Sequence, residues 1–196
     1  MQHRAIDIIR AEHEALGAVL TTLLALNKAG QTPPADFKPL RAMLLYIDDF
    51  PEKLHHVKET EVLFARLRQR APEAADVLDR LDREHERGEL AIRNLQHALL
   101  AYELLGPSRR AAFVEALERY AKFYFDHMRT EERDVLPLAE RALTEADWHD
   151  VEAAFSSNRD PLTGHTPDEE YVELFRLIAT ITPAPYGLAQ PEAGAR

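Results

Sequence analysis

Six residues able to hold a metal ion fall at helical spacing along this chain: His13, His55, Glu59, His85, His127 and Glu131. Each lies on a stripe of apolar residues recurring at intervals of three and four, the period of one helix face. Burying an imidazole or carboxylate without a partner is costly, so a core that collects six needs something to neutralise them. A bound cation does so at once. Glu follows His by four residues at His55/Glu59, His85/Glu89, His127/Glu131 and His165/Glu169, where composition alone gives about one such pair by chance. The last of these lies outside the stripes. A second regularity is independent of the first. The separation from His13 to His85, from His55 to His127 and from Glu59 to Glu131 is 72 residues in each case, and "EHE" occurs at both 12–14 and 84–86. This predicts a duplicated helical hairpin whose halves face each other about a pseudo-two-fold axis.

Four long helices must carry these residues. The first has Ile6, Ile9, Leu16, Leu20 and Leu23 around His13 and stops near Asn27–Gly30; Pro33-Pro34 marks the loop that follows. Asp36 suits the N-cap of the second, whose stripe runs Leu40, Leu44, Ile47, Pro51, His55, Glu59, Val62. Pro51 predicts a kink or a restart one turn before His55. The third begins near Pro72 and carries Leu78, Leu81, His85, Gly88, Ile92, Leu95, Leu99 and Tyr102 to a stop at Gly106-Pro107-Ser108. The fourth carries Phe113, Leu117, Tyr120, Tyr124, His127, Glu131 and Leu138. Short connections predict an all-α, antiparallel up-down-up-down four-helix bundle over residues 1–143. At ~1.5 Å per residue, His85 and His127 reach the same depth in it, and an i,i+4 pair spans one turn, so a carboxylate can reach inward beside its histidine. Residues 144–182 read as an appendage of two short helices without chemistry, the first opened by a capping box of Thr144 and Asp147, and 183–196 as a disordered tail.

Composition narrows the function. A net charge of −10 argues against nucleic acid or an anionic membrane as partner. The absence of cysteine excludes disulfides, thiolate sites and thiol catalysis. No signal-like or membrane-spanning apolar run is present, which makes a cytoplasmic location the expectation. Imidazole and carboxylate without sulfur suit Fe, Mn or Zn.

The constellation His13 … His55-x-x-x-Glu59 … His85 … His127-x-x-x-Glu131, with "FPEKLHHVKETEVLF" and "DHMRTEERDVLPLAE" around it, resembles the hemerythrin-like (HHE cation-binding) family of the bacterial type. The likeness covers roughly residues 3–142. It implies a non-haem centre of two iron ions inside the bundle, more readily than Zn or Mn, with the glutamates bridging and the histidines terminal. It also implies a small ligand such as O2, peroxide or nitric oxide, in sensing or detoxification. The rival implications are an iron-binding or interaction module without catalysis, and repair of damaged iron centres. No catalytic residue and no protein partner is assigned. Where oxygen-carrying hemerythrins have a second histidine in the third helix this chain has Glu89, and it lacks their longer His-to-Asp spacing in the fourth. Glu89 therefore joins the candidate set, either as a third carboxylate ligand, disfavouring reversible O2 carriage, or as a hydrogen-bond acceptor beside the site. His56, turned about 100° from His55, reads as a surface residue or an outer partner. Glu12, Glu61, Glu84 and Glu132 read as solvated or outer partners, and Tyr124 as core packing.

Overall fold

A computed structural model describes residues 3–28, 36–157, 160–182 and 184. The expected stop at Gly30, the Pro33-Pro34 loop and nearly all of the tail lie outside these. Among the described residues there are helices and no strand.

Helix α1, Arg4–Leu26, buries Ile6, Ile9, His13, Leu16, Leu20 and Leu23, the stripe read from its sequence. The second helix, α2, is continuous over 38–70. Its Asp36 carboxylate accepts the Lys38 N–H at 2.9 Å, although Phe37 occupies the N-cap position. Pro51 neither ends α2 nor restarts it. The helix is π-helical over Asp48–His55, with the His56 N–H reaching back to the Pro51 carbonyl. Proline lacks an N–H and its ring crowds the preceding turn, so a wider turn accommodates it. A second π-helical stretch, Glu59–Phe64, follows. Helix α3, Ala75–Leu105, is uninterrupted α-helix and ends at Gly106, whose φ of 83° belongs to a glycine stop. Helix α4 runs over 110–142, with one π-helical stretch at Glu131–Val135. Helix α1 packs on α2 and α4, and α3 on α2 and α4, so the four close into a ring. Arg110 at the start of α4 donates to the Asn27 and Lys28 carbonyls at the end of α1, as antiparallel neighbours require.

Two apolar clusters fill the bundle. One holds Leu20, Leu23, Met43, Leu95, Phe113 and Leu117 among others; the other holds Ile6, Ile9, Leu63, Phe64, Leu81 and Leu136. The candidate ligands lie at the level between them. Helix α5, Glu145–Phe155, opens with the capping box of Thr144 and Asp147, and Trp148 stacks on His3 at 3.9 Å. Helix α6, Val172–Ile181, lays Phe175 and Ile178 against the cluster that holds Tyr46, with Phe175 against the rings of Tyr46 and Phe50 of α2.

The turn before α6 sends one carboxylate inward. Asp160 is buried and accepts from the Tyr46 hydroxyl at 2.7 Å and the Leu162 N–H at 2.8 Å. Burial pushes it up to about 6, against the pull of those two hydrogen bonds. A carboxyl raised in the folded state favours folding only while protonated, so its contribution falls as pH rises from its ordinary 3.8 through 6. Asp160→Asn, which keeps both oxygen and donor groups at the site, should gain on the wild type by about 1–3 kcal/mol across that window. Denaturation curves whose difference does not change with pH would defeat this account.

Candidate metal centre

His13, His55, Glu59, His85, His127 and Glu131 converge at mid-bundle, each buried. The rings form two pairs. His13 Nε2 lies 3.2 Å from His55 Nε2, and His85 Nε2 lies 3.1 Å from His127 Nε2. Each carboxylate sets one oxygen against each pair. Glu59 Oε1 is 3.3 Å from His55 Nε2 and its Oε2 3.5 Å from His85 Nε2. Glu131 Oε2 is 3.2 Å from His13 Nε2 and its Oε1 3.1 Å from His127 Nε2.

The other ring nitrogens point outward to acceptors. His55 Nδ1 meets Glu12 at 2.7 Å, His127 Nδ1 meets Glu84 at 2.9 Å and His13 Nδ1 meets Glu132 at 3.0 Å. His85 Nδ1 meets Thr60 Oγ1 at 2.9 Å, and that hydroxyl donates to Asp82. These partners follow the repeat as well, since Glu12 matches Glu84 and Thr60 matches Glu132 at the same 72-residue offset. The duplicated "EHE" therefore has a purpose: its first glutamate orients a histidine of the neighbouring helix. A neutral imidazole that donates from Nδ1 has only a lone pair at Nε2. Four lone pairs and four carboxylate oxygens then face one another. All four oxygens of Glu59 and Glu131 are buried without a hydrogen-bond partner, the short contacts to the rings lacking hydrogen-bond geometry. Acceptors facing acceptors need a cation. The spacing fits one: nitrogens in adjacent positions around an ion with bonds of about 2.1 Å stand about 3 Å apart. His13, His55 and Glu59 present ligand atoms within 4.8 Å of one another, as do His56, Glu59, His85 and His127.

Two positions differ from the sequence reading. Glu89 is not brought to the centre; it is exposed on α3 and pairs with Arg93 at 3.1 Å. It is neither a ligand nor an acceptor beside His85, and so gives no ground against reversible O2 carriage. His56 is buried, and its ring stacks on that of His85 with centroids 4.4 Å apart. Its Nδ1 lies 3.2 Å from Glu52 Oε2, and Glu52 accepts from the hydroxyls of Tyr120 and Tyr124. Tyr124 therefore does more than fill the core. Glu12, Glu84 and Glu132 are the outer partners the sequence allowed them to be, and the repeat is the signal that selects them.

Fold and site together define a helical bundle built to hold metal cations through histidine and glutamate. A sequence model of the hemerythrin HHE cation binding domain matches residues 4–139, and the chain belongs to that family. No curated protein and no solved structure matches the chain. No helix among the described residues is long and apolar enough to cross a membrane.

Without a cation, protons take its place. Burial opposes charge on His127, yet Glu131 and Glu84 push it up to about 10. Burial likewise opposes charge on His55, and Glu59 and Glu12 outweigh it, holding the ring well above the usual histidine range. The reverse holds for Glu131: His127, His13 and His85 overcome burial and keep it well below the usual carboxylate range. A histidine raised in the folded state stabilises fully below its ordinary 6.5, and this is lost as pH climbs through the raised value. Metal-free protein should therefore lose stability between pH 6.5 and about 10, whereas metal uptake, which must expel those protons, should tighten over the same range. Proton release on metal addition, followed with a pH indicator, checks this; uptake without release would contradict it.

Proposed function

We propose that the chain holds two iron ions, bridged by Glu59 and Glu131, with His13 and His55 on one and His85 and His127 on the other. The observation that carries this reading is the pair of buried carboxylates, each with one oxygen against each histidine pair and no hydrogen-bond donor on either. A sulfur-free set of nitrogen and oxygen donors suits Fe, Mn and Zn, and paired sites facing inward from bundle helices favour two irons. When bound, iron supplies one-electron and O2 chemistry. The chain's own residues do the rest: Glu12, Glu84, Glu132 and Thr60 fix ring orientation, and the two apolar clusters exclude bulk water.

The same proposal assigns the centre a small oxidant, O2, peroxide or nitric oxide, in sensing or detoxification in the cytoplasm. A cavity of about 10 Å³ supports it, lined by Glu12, His13, Leu16, Phe50, Leu54 and His55 and large enough for one water-sized molecule. The alternative of a purely structural metal, or of an interaction module, draws on the fact that the ligands come from all four helices between the two apolar clusters, so that an ion would staple the bundle. Repair of damaged iron centres has no particular observation in its favour.

Protein reconstituted anaerobically with Fe(II) should take up about two ions per chain and change its absorption on addition of nitric oxide or peroxide. Glu131→Ala should lose metal and lower the thermal midpoint of the metal-loaded protein. Zinc in place of iron after growth in iron-replete medium would sink the iron assignment. A fully loaded sample indifferent to nitric oxide, O2 and peroxide would favour the structural reading.

A further inference from the structure

Three departures from the pseudo-two-fold symmetry fall together beside His85 and His127. At the 72-residue offset, His56 corresponds to Met128, Glu52 to Tyr124 and Gly88 to Leu16. The three changes fit together. A Cβ on Gly88 would stand 1.9 Å from the Tyr124 hydroxyl and 2.8 Å from Glu52 Oε2, so only glycine leaves room for that pair. Glycine in the middle of a helix is unfavourable relative to alanine, and α3 bears that cost here. The space admits a buried carboxylate, Glu52, tied by Tyr120 and Tyr124 and facing His56 Nδ1 at 3.2 Å.

This is the arrangement seen at His13, His55 and His127, where Nδ1 meets a glutamate and Nε2 is left for the centre. Metal-bound histidines commonly give their second nitrogen to a carboxylate in this way. His56 offers a ligand atom within 4.8 Å of those of Glu59, His85 and His127. With Nδ1 engaged by Glu52, Nε2 is the atom available.

We infer that His56 is a fifth imidazole ligand, serving the ion beside His85 and His127, and that Glu52, Tyr120, Tyr124 and Gly88 are the fitting that positions it. The inference rests on the two-metal reading and deepens it. The two ions become inequivalent, one with three imidazoles and the other with two.

Two measurements test it. Protein loaded with Co(II) should show five solvent-exchangeable, strongly shifted imidazole N–H resonances in its proton NMR spectrum, one per ligating ring. Competition against a chelator should show that His56→Ala weakens uptake of one of the two ions at least about tenfold and leaves the other near the wild-type value. Four shifted resonances on a protein holding two ions, or a His56→Ala variant that keeps both at wild-type affinity, overturns the assignment while the two-metal reading stands. If that variant fails to fold, the resonance count on the wild type decides. A wild-type chain that takes up no second ion overturns both together.

Discussion

Lone pairs facing lone pairs are the constraint on which the rest of this molecule depends. Glu12, Glu84 and Glu132 draw the ring protons of His55, His127 and His13 outward. The inner nitrogens are left to confront two carboxylates that have no donor of their own. In a low-dielectric interior such a group is stable only around positive charge. Protons can supply that charge by occupying the rings. A metal supplies more of it from a single point, with ligand distances already suited to it.

The bundle is arranged to keep this layer dry and in register. Apolar clusters lie to either side along the axis, and every helix of the ring contributes a candidate ligand, so no helix can shift without disturbing the centre. The appended helices take part in the packing. Phe175 and Ile178 of α6 complete one cluster, Trp148, Val151 and Phe155 of α5 complete the other, and Asp160 between them is fastened to Tyr46 of α2.

Much of this was legible in the sequence because two periodicities coincided. The three-and-four stripes mark the helices, and the histidines and glutamates on those stripes are the six candidate ligands that converge at mid-bundle. The 72-residue offset showed which residues are equivalent. What was not legible follows from helix geometry. His-x-x-x-Glu recurs in three helices, yet only Glu59 and Glu131 reach the centre, and each opens a π-helical stretch. Glu89 sits in uninterrupted α-helix one place beyond Gly88, and the narrower stripe of α3 leaves it in solvent. An α-helical angle of about 100° per residue would turn His56 away from the site. The π-helical turns before it hold more residues per turn, so neighbours diverge less and both His55 and His56 face inward. Nothing in the residue types around Pro51 announces that widening beyond the proline itself.

Those π-helical turns also set the phase of the helices. A wide turn holds one residue more than the α-helical turn it replaces, so everything beyond it is rotated relative to everything before. In α2, Leu40 and Leu44 on one side and Leu63, Phe64 and Leu67 on the other are all buried, and they stay in phase with their clusters because the surplus residues lie between. Deleting one, for example Thr60, would turn the far end of the helix by about a quarter-turn and swing Leu67 towards water. Metal binding and core packing are thus written into the same few residues of chain length. A lineage that abandoned the metal could not simply replace its ligands; it would have to keep the extra residues for the sake of the core, or lose them and repack half the bundle.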